Sequence, residues 1–257
     1  MNMLAQRVLT AVVGLPILLA ALLFGGAAWR LLVTLLIIVG LWEFAAMSGP
    51  GLYLDYLAVA GLSFLAVTYS GVDGTKLLLW LALQLLYYLL RSAFSGMHSF
   101  ASAANLLGVL YVAVLYSFLV LVREHFGVSW TLFGFLVTWA TDTGAYFGGL
   151  KYGRHKLCPK ISPNKSVEGA LFGLVGGAVA GIVFALVAQE SLLQLATFAL
   201  VLSLCGQLGD LVESALKRER AVKDSGSILP GHGGILDRFD SLSFVFPVLY
   251  GLLSLFA

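Results

Sequence analysis

Apolar runs of about 20 residues recur along the whole chain, separated by short polar breaks. That is the length a helix needs to cross the hydrocarbon core of a bilayer. Nine runs are read: Val8–Ala28, Leu31–Met47, Leu52–Tyr69, Lys76–Ala93, Ala103–Val122, Trp130–Gly149, Gly169–Ala188, Leu192–Glu213 and Phe239–Phe256. Backbone polar groups in lipid must pair within their own segment, so the runs are expected to be helices. A membrane β-barrel would instead show alternating segments of about ten residues, and the chain has none. The first run imitates a secretory leader, but it continues to Ala28 without a convincing small-residue cleavage site, so it is expected to remain as a span. The pattern predicts an all-α, polytopic integral membrane protein.

Two polar breaks are longer than the rest, at residues 150–168 and 214–238. They divide the chain into a region of five spans, residues 1–128, and a second region, 129–257, that carries both loops. With the N-terminus inside, twelve of the fifteen Lys and Arg fall on the inner side, and only Arg30, Lys76 and Arg123 fall outside. Basic residues accumulate on the cytoplasmic side of membrane proteins. The expected topology therefore has a cytoplasmic N-terminus, an external C-terminus and both polar loops in the cytoplasm.

Composition agrees with this outline. At 60% hydrophobic and 11% charged, the chain is not an ordinary soluble domain. A net charge of +2 makes no case for nucleic acid, and none is expected as a partner. The charge distribution says more, because five of the fifteen basic residues and four of the thirteen acids lie between Ser214 and Asp240. Cys158 and Cys205 have no metal-type spacing and read as ordinary thiols. Gly169, Gly173, Gly177 and Gly181 recur at every fourth position, a small-residue stripe that lets another helix approach. Packing inside the subunit is preferred for it; packing across a homodimer is the alternative.

The candidate chemistry lies at the two polar loops. Gly206, Asp210, Ser214 and the pair Glu213/Lys217 fall at steps of three and four, which puts them on one helix face. A structural ion pair with Lys217 or Arg218 is the competing reading for Glu213 and, less strongly, for Asp210. Beyond them, Lys217, Arg218 and Lys223 suit phosphate oxygens. Asp224, Asp237 and Asp240 suit a hard divalent ion. Gly231, Gly233 and Gly234 around His232 allow a ligand close to the backbone. A basic loop lying on anionic headgroups would explain the cations, but not the three Asp or the Gly-His-Gly-Gly run. The other loop begins inside a span at Asp142-Thr143-Gly144 and ends in Ser162-Pro163-Asn164-Lys165-Ser166. Asp142 lies two turns inside its span and should face protein or water. A phosphate-loop reading fails for want of the Lys-Ser/Thr pair. Glu43, at the end of the second run, reads as a boundary charge or a helix-pairing residue. His98 and His125 are given no role.

Taken together, these motifs resemble the CDP-diacylglycerol synthase, or phosphatidate cytidylyltransferase, family. The positions that fit its signature are Ser214, Lys217, Arg218, Lys223, Asp224, Pro230, His232, Gly233, Gly234, Asp237, Arg238 and Asp240. Asp142-Thr143-Gly144 and Ser162-Pro163-x-Lys165-Ser166 also look like the family, so the resemblance covers at least residues 138–240. It implies that phosphatidate and CTP give CDP-diacylglycerol and pyrophosphate in a bacterial inner membrane, with Mg²⁺ and room for a second cation. On this reading Asp210 and Asp237 hold the metal, with Asp142, Asp224 and Asp240 ranked second. Lys217, Lys223 and His232 join these two in the catalytic set. Ser162, Lys165, Ser166, Ser214, Arg218, Gly233, Gly234 and Arg238, with Lys217 and Lys223, bind substrate. The alternatives are a related CTP-dependent lipid kinase or cytidylyltransferase, and a transporter. The one-sided concentration of charge speaks against the transporter.

Overall fold

The computed structural model describes residues 3–48, 54–69, 74–94, 99–231 and 233–256; His98 and His232 lie outside them, as does the start of the third expected span. The described chain is mostly helical, as the apolar pattern requires. Five of its helical stretches are long and apolar enough to cross a membrane: Gly26–Met47, Ala103–His125, Val167–Ala188, Leu192–Glu219 and Leu236–Phe256. Shorter apolar helical stretches cover Val8–Phe24, Tyr56–Thr68 and Leu79–Leu90. The chain forms two compact units, Met1–Leu121 with Ser225–Leu236, and Val122–Asp224 with Asp237–Ala257.

The first unit contains α1 (Met3–Phe24), α2 (Gly26–Ser48), α3 (Leu54–Tyr69), α4 (Gly74–Phe94) and α5 (Ser99–Gly108). A π-helical segment, Val109–Val114, then leads into α6 (Leu115–His125). The first break falls at Gly25, not at the Trp29–Arg30 pair that separates the first two expected spans. Gly25 and Gly26 both have positive φ, 65° and 49°, a conformation that ends a right-handed helix and that glycine adopts without steric penalty. Trp29 is then free to serve the core of α2: it is fully buried and its indole N–H donates to the Leu119 carbonyl at 2.9 Å. Such a bond removes the penalty of burying the indole donor.

The second unit contains α7 (Gly127–Tyr152), a β-hairpin of β1 (Lys156–Cys158) and β2 (Ser162–Ser166), α8 (Val167–Ala188), α9 (Leu192–Glu219) and α10 (Leu236–Phe256, counted here from Asp237). The hairpin adds two short antiparallel strands to a fold expected to be purely helical. Its last residue, Ser166, caps α8 by accepting the Gly169 N–H at 3.1 Å, which satisfies one of the unpaired donors of the first turn. The glycine stripe of α8 faces α7 and α9 within the unit. A Cβ on Gly173 would lie 3.1 Å from the Thr141 carbonyl, and one on Gly181 would lie 2.8 Å from the Leu195 carbonyl. Between these two, Thr141 and Ser203 share a hydrogen bond at 2.7 Å. The three helices therefore meet backbone to backbone, as small-residue stripes permit.

Candidate active site

Two helices run past their expected ends, and both extensions carry polar residues. α9 continues to Glu219, so Asp210, Glu213, Ser214 and Lys217 all stand on regular helix. α10 begins at Leu236, which puts Asp237, Arg238 and Asp240 in its first turns and not in a loop. Carboxylates are favoured there, because the first turn of a helix carries unpaired N–H groups and the positive end of its dipole. The Asp240 carboxylate accepts the Ser241 N–H at 2.6 Å.

Within the second unit these residues form one network of opposite charges. Lys217 Nζ lies 2.5 Å from Glu213 and 2.6 Å from Asp237, with all three side chains largely buried. Lys165 Nζ, from β2, lies 2.7 Å from Asp210, and Ser214 Oγ donates to the same carboxylate at 3.3 Å. Asp142, from α7, has Asp210, Lys165 and Arg238 as charged neighbours. Asp240 has Asp210, Glu213 and Asp142. Five carboxylates from three helices thus converge with Lys165, Lys217 and Arg238. Such a concentration of acid among apolar helices is sustained only by cations or by hydrogen bonds. Pairing with Lys217 holds for Glu213, as the structural alternative for that residue had it. Asp210 pairs instead with Lys165 of the hairpin.

Other candidates stand elsewhere or do different work. Lys223 and Asp224 are exposed on the turn after α9, and among the described residues neither joins the network. Arg218 donates from Nε to the Ile161 carbonyl and from Nη1 to the Val222 carbonyl, both at 3.1 Å, tying the end of α9 to the hairpin. Ser162 is half-buried on β2, and Ser166 is the buried cap of α8. Gly233 and Gly234 belong to the first unit, in a turn closed by the Leu229 N–H donating to the Gly233 carbonyl at 2.9 Å. Gly231 and Gly233 have φ of 75° and 81° in that turn, which requires residues without a Cβ. His232, between them, lies outside the described residues.

Two acids are buried outright. Glu213 is 1% exposed, and its pairing with Lys217 was legible in their spacing. Glu43 is fully buried in the first unit and holds the segment before α10. No local pattern signals that contact, because the partners are 192 and 193 residues away.

A hard divalent cation suits the oxygen donors of the network. Among the described residues no three His, Cys, Asp or Glu side chains form a ready cage. Mg²⁺ does not need one, since it commonly binds through one or two carboxylates, water and substrate phosphates.

Comparison with known proteins gives the same direction over nearly the whole length. A relative from Bacillus subtilis (strain 168), named phosphatidate cytidylyltransferase, is 40% identical, and the match covers 98% of each chain. One from Staphylococcus haemolyticus with the same name is 41% identical over 96% of this chain and 98% of its own. One from Staphylococcus aureus (strain COL), again of that name, is 40% identical with the same coverage. The family model described as the cytidylyltransferase family matches residues 5–256, and the chain belongs to that family.

Proposed function

We propose that this protein is a phosphatidate cytidylyltransferase, a CTP-dependent nucleotidyltransferase that makes CDP-diacylglycerol for phospholipid synthesis. The observation that carries the proposal is the network in which Lys165 and Lys217 are held on Asp210, Glu213 and Asp237. Both substrates bear phosphate, and both repel each other. A site that transfers between them needs fixed cations for the phosphates and carboxylates for a metal ion, close together and at the membrane boundary.

The reaction needs no nucleophile from the protein. An oxygen of the phosphatidate phosphate attacks the α-phosphorus of CTP. The bond from that phosphorus to the oxygen bridging towards the β-phosphorus breaks, and pyrophosphate leaves with the bridging oxygen. Asp210 and Asp237 would hold Mg²⁺, whose charge lowers the repulsion between the phosphates and stabilises the leaving pyrophosphate. Asp142 and Asp240 lie within electrostatic reach of Asp210 and support a cation at that place. Lys165, Lys217 and Arg238 supply the positive charge that phosphate binding and the developing negative charge require. Lys223, exposed on the turn after α9, supplies further positive charge for the triphosphate.

The acyl chains and the nucleotide fix where this happens. Each CH₂ withdrawn from the bilayer costs about 0.8 kcal/mol, so phosphatidate stays in the membrane. CTP cannot shed its hydration to enter the hydrocarbon. The chemistry therefore belongs at headgroup level, and the bias of basic residues supports the cytoplasmic face of a bacterial inner membrane, with nine spans and the N-terminus inside. The test is the purified chain in detergent micelles containing phosphatidate, with CTP and Mg²⁺. CDP-diacylglycerol and pyrophosphate are expected by mass spectrometry, and a chelator should stop their formation. Product only from a lipid alcohol, with release of CDP, would make the protein a kinase and sink this assignment.

A further inference from the structure

Within the first unit, the buried carboxylate of Glu43 on α2 is enclosed by the segment 225–236. Oε1 accepts the backbone N–H of Ile235 at 2.9 Å. Oε2 accepts the N–H of Leu236 at 2.9 Å and the Ser225 hydroxyl at 3.2 Å. The walls of the enclosure are glycine: a Cβ on Gly226 would lie 2.6 Å from Oε1, and one on Gly234 would lie 2.5 Å from both oxygens. Cβ atoms essentially never sit that close, so a side chain at either position would force the carboxylate to shift from its place.

A carboxylate buried in a membrane helix is costly unless every acceptor is used. Here both oxygens are used, and these three donors come from one segment. Two of those donors are the backbone N–H groups at the start of α10, where a negative charge is favoured by the helix dipole and the N–H groups lack helical partners. Leu236 immediately precedes Asp237, and the enclosed segment immediately follows Lys223 and Asp224. Glu43 therefore holds the segment that separates the two halves of the charged signature, up to Leu236, the first residue of the helix that carries Asp237, Arg238 and Asp240.

We infer that Glu43 is a positioning residue for the transferase site, acting through the segment 225–236 to set the start of α10 and hence the metal-binding carboxylate Asp237. The inference rests on the reaction assigned above. Residues that orient metal-binding groups from behind typically alter metal affinity or activity by about 10–100-fold when changed. Glu43→Gln replaces one acceptor oxygen with a donor that faces a backbone N–H. Glu43→Asp retains the charge on a shorter stem. Gly234→Ala keeps the carboxylate and pushes a methyl group against it.

The experiment uses the purified full chain and two readouts. Hydrogen–deuterium exchange across 225–236 should speed up in Glu43→Gln and in Gly234→Ala, while the fraction folded, followed by circular dichroism, is held comparable. In the CTP and phosphatidate assay, both variants should lose about 10–100-fold in kcat per folded molecule and require more Mg²⁺ for half-maximal rate, with a smaller change in KM for CTP and partial recovery in Glu43→Asp. Wild-type exchange across the segment in Glu43→Gln would overturn the anchoring. Wild-type kcat per folded molecule and wild-type Mg²⁺ dependence would overturn the positioning role, leaving Glu43 purely structural. If Glu43→Gln does not fold, Gly234→Ala decides by the same criteria. If the unaltered protein makes no CDP-diacylglycerol, the assigned reaction fails, and with it the role of Glu43 in that reaction, while the exchange measurement still decides the anchoring.

Discussion

The ammonium of Lys217 lies between Glu213 and Asp237, and all three side chains are withdrawn from solvent. Removing the ammonium leaves two buried carboxylates with no cation between them, whereas removing either acid leaves Lys217 paired with the other. Lys217→Met is therefore expected to destabilise the protein by roughly 3–5 kcal/mol, read as a fall in melting temperature in detergent. Glu213→Gln in the same chain should recover part of that loss, because the two groups are coupled; simple additivity would show that the pair does not act as a unit. Asp210 and Asp237 call for a different expectation. Asn is nearly isosteric with Asp, so Asp210→Asn and Asp237→Asn should fold, yet turnover should fall by about a hundredfold or more, as when a strong electrostatic stabiliser is removed. A variant that keeps over about a tenth of wild-type turnover at saturating Mg²⁺ does not hold the metal, since losing a direct stabiliser costs far more than that.

At the scale of elements, the α8 stripe explains how α7 and α9 come close enough to bring Asp142 and Asp210 into electrostatic contact. A Cβ on Gly177 would overlap Ser203 Oγ and lie 2.7 Å from Thr141 Oγ1. Gly177→Ala should therefore force the helices apart and destabilise the protein by about 1–3 kcal/mol, the usual consequence of overpacking. Gly61, on an exposed position of α3, has nothing within 4 Å of its Cβ position. There the same change should be neutral or stabilising by up to about 0.5–1 kcal/mol, since alanine restricts the unfolded helix backbone more than glycine does. Thermal melts of the two variants check the contrast, and equal destabilisation would show that the stripe is not a packing seam. The β-hairpin has a comparable role, because it delivers Lys165 to Asp210 and receives Arg218 from α9 at Ile161.

For the whole molecule, the distribution of basic residues makes a topological prediction. A reporter fused after Ala257 should report the periplasmic side and one inserted near His155 the cytoplasmic side; agreement between them would mean that the number of spans is not nine. Much of the rest was legible in the chain. Apolar runs of bilayer length give helices because lipid offers backbone groups no other partner. The face of α9 could be read because Asp210, Glu213, Ser214 and Lys217 are neighbours through local helix geometry alone. Helix ends were harder: apolar content stops at the bilayer while hydrogen bonding does not, so α9 continues through its charged residues and α10 begins before Phe239. The choice of partners was beyond the sequence. Whether Asp210 meets Lys165 or Lys217 depends on where the hairpin folds back, and the enclosure of Glu43 depends on a segment far along the chain. The sequence by itself determined the class of the protein, its helices and the chemistry of its signature, because those follow from local pattern. Only the tertiary structure decided which charge neutralises which, because ion pairing and close backbone approach are properties of distance in space.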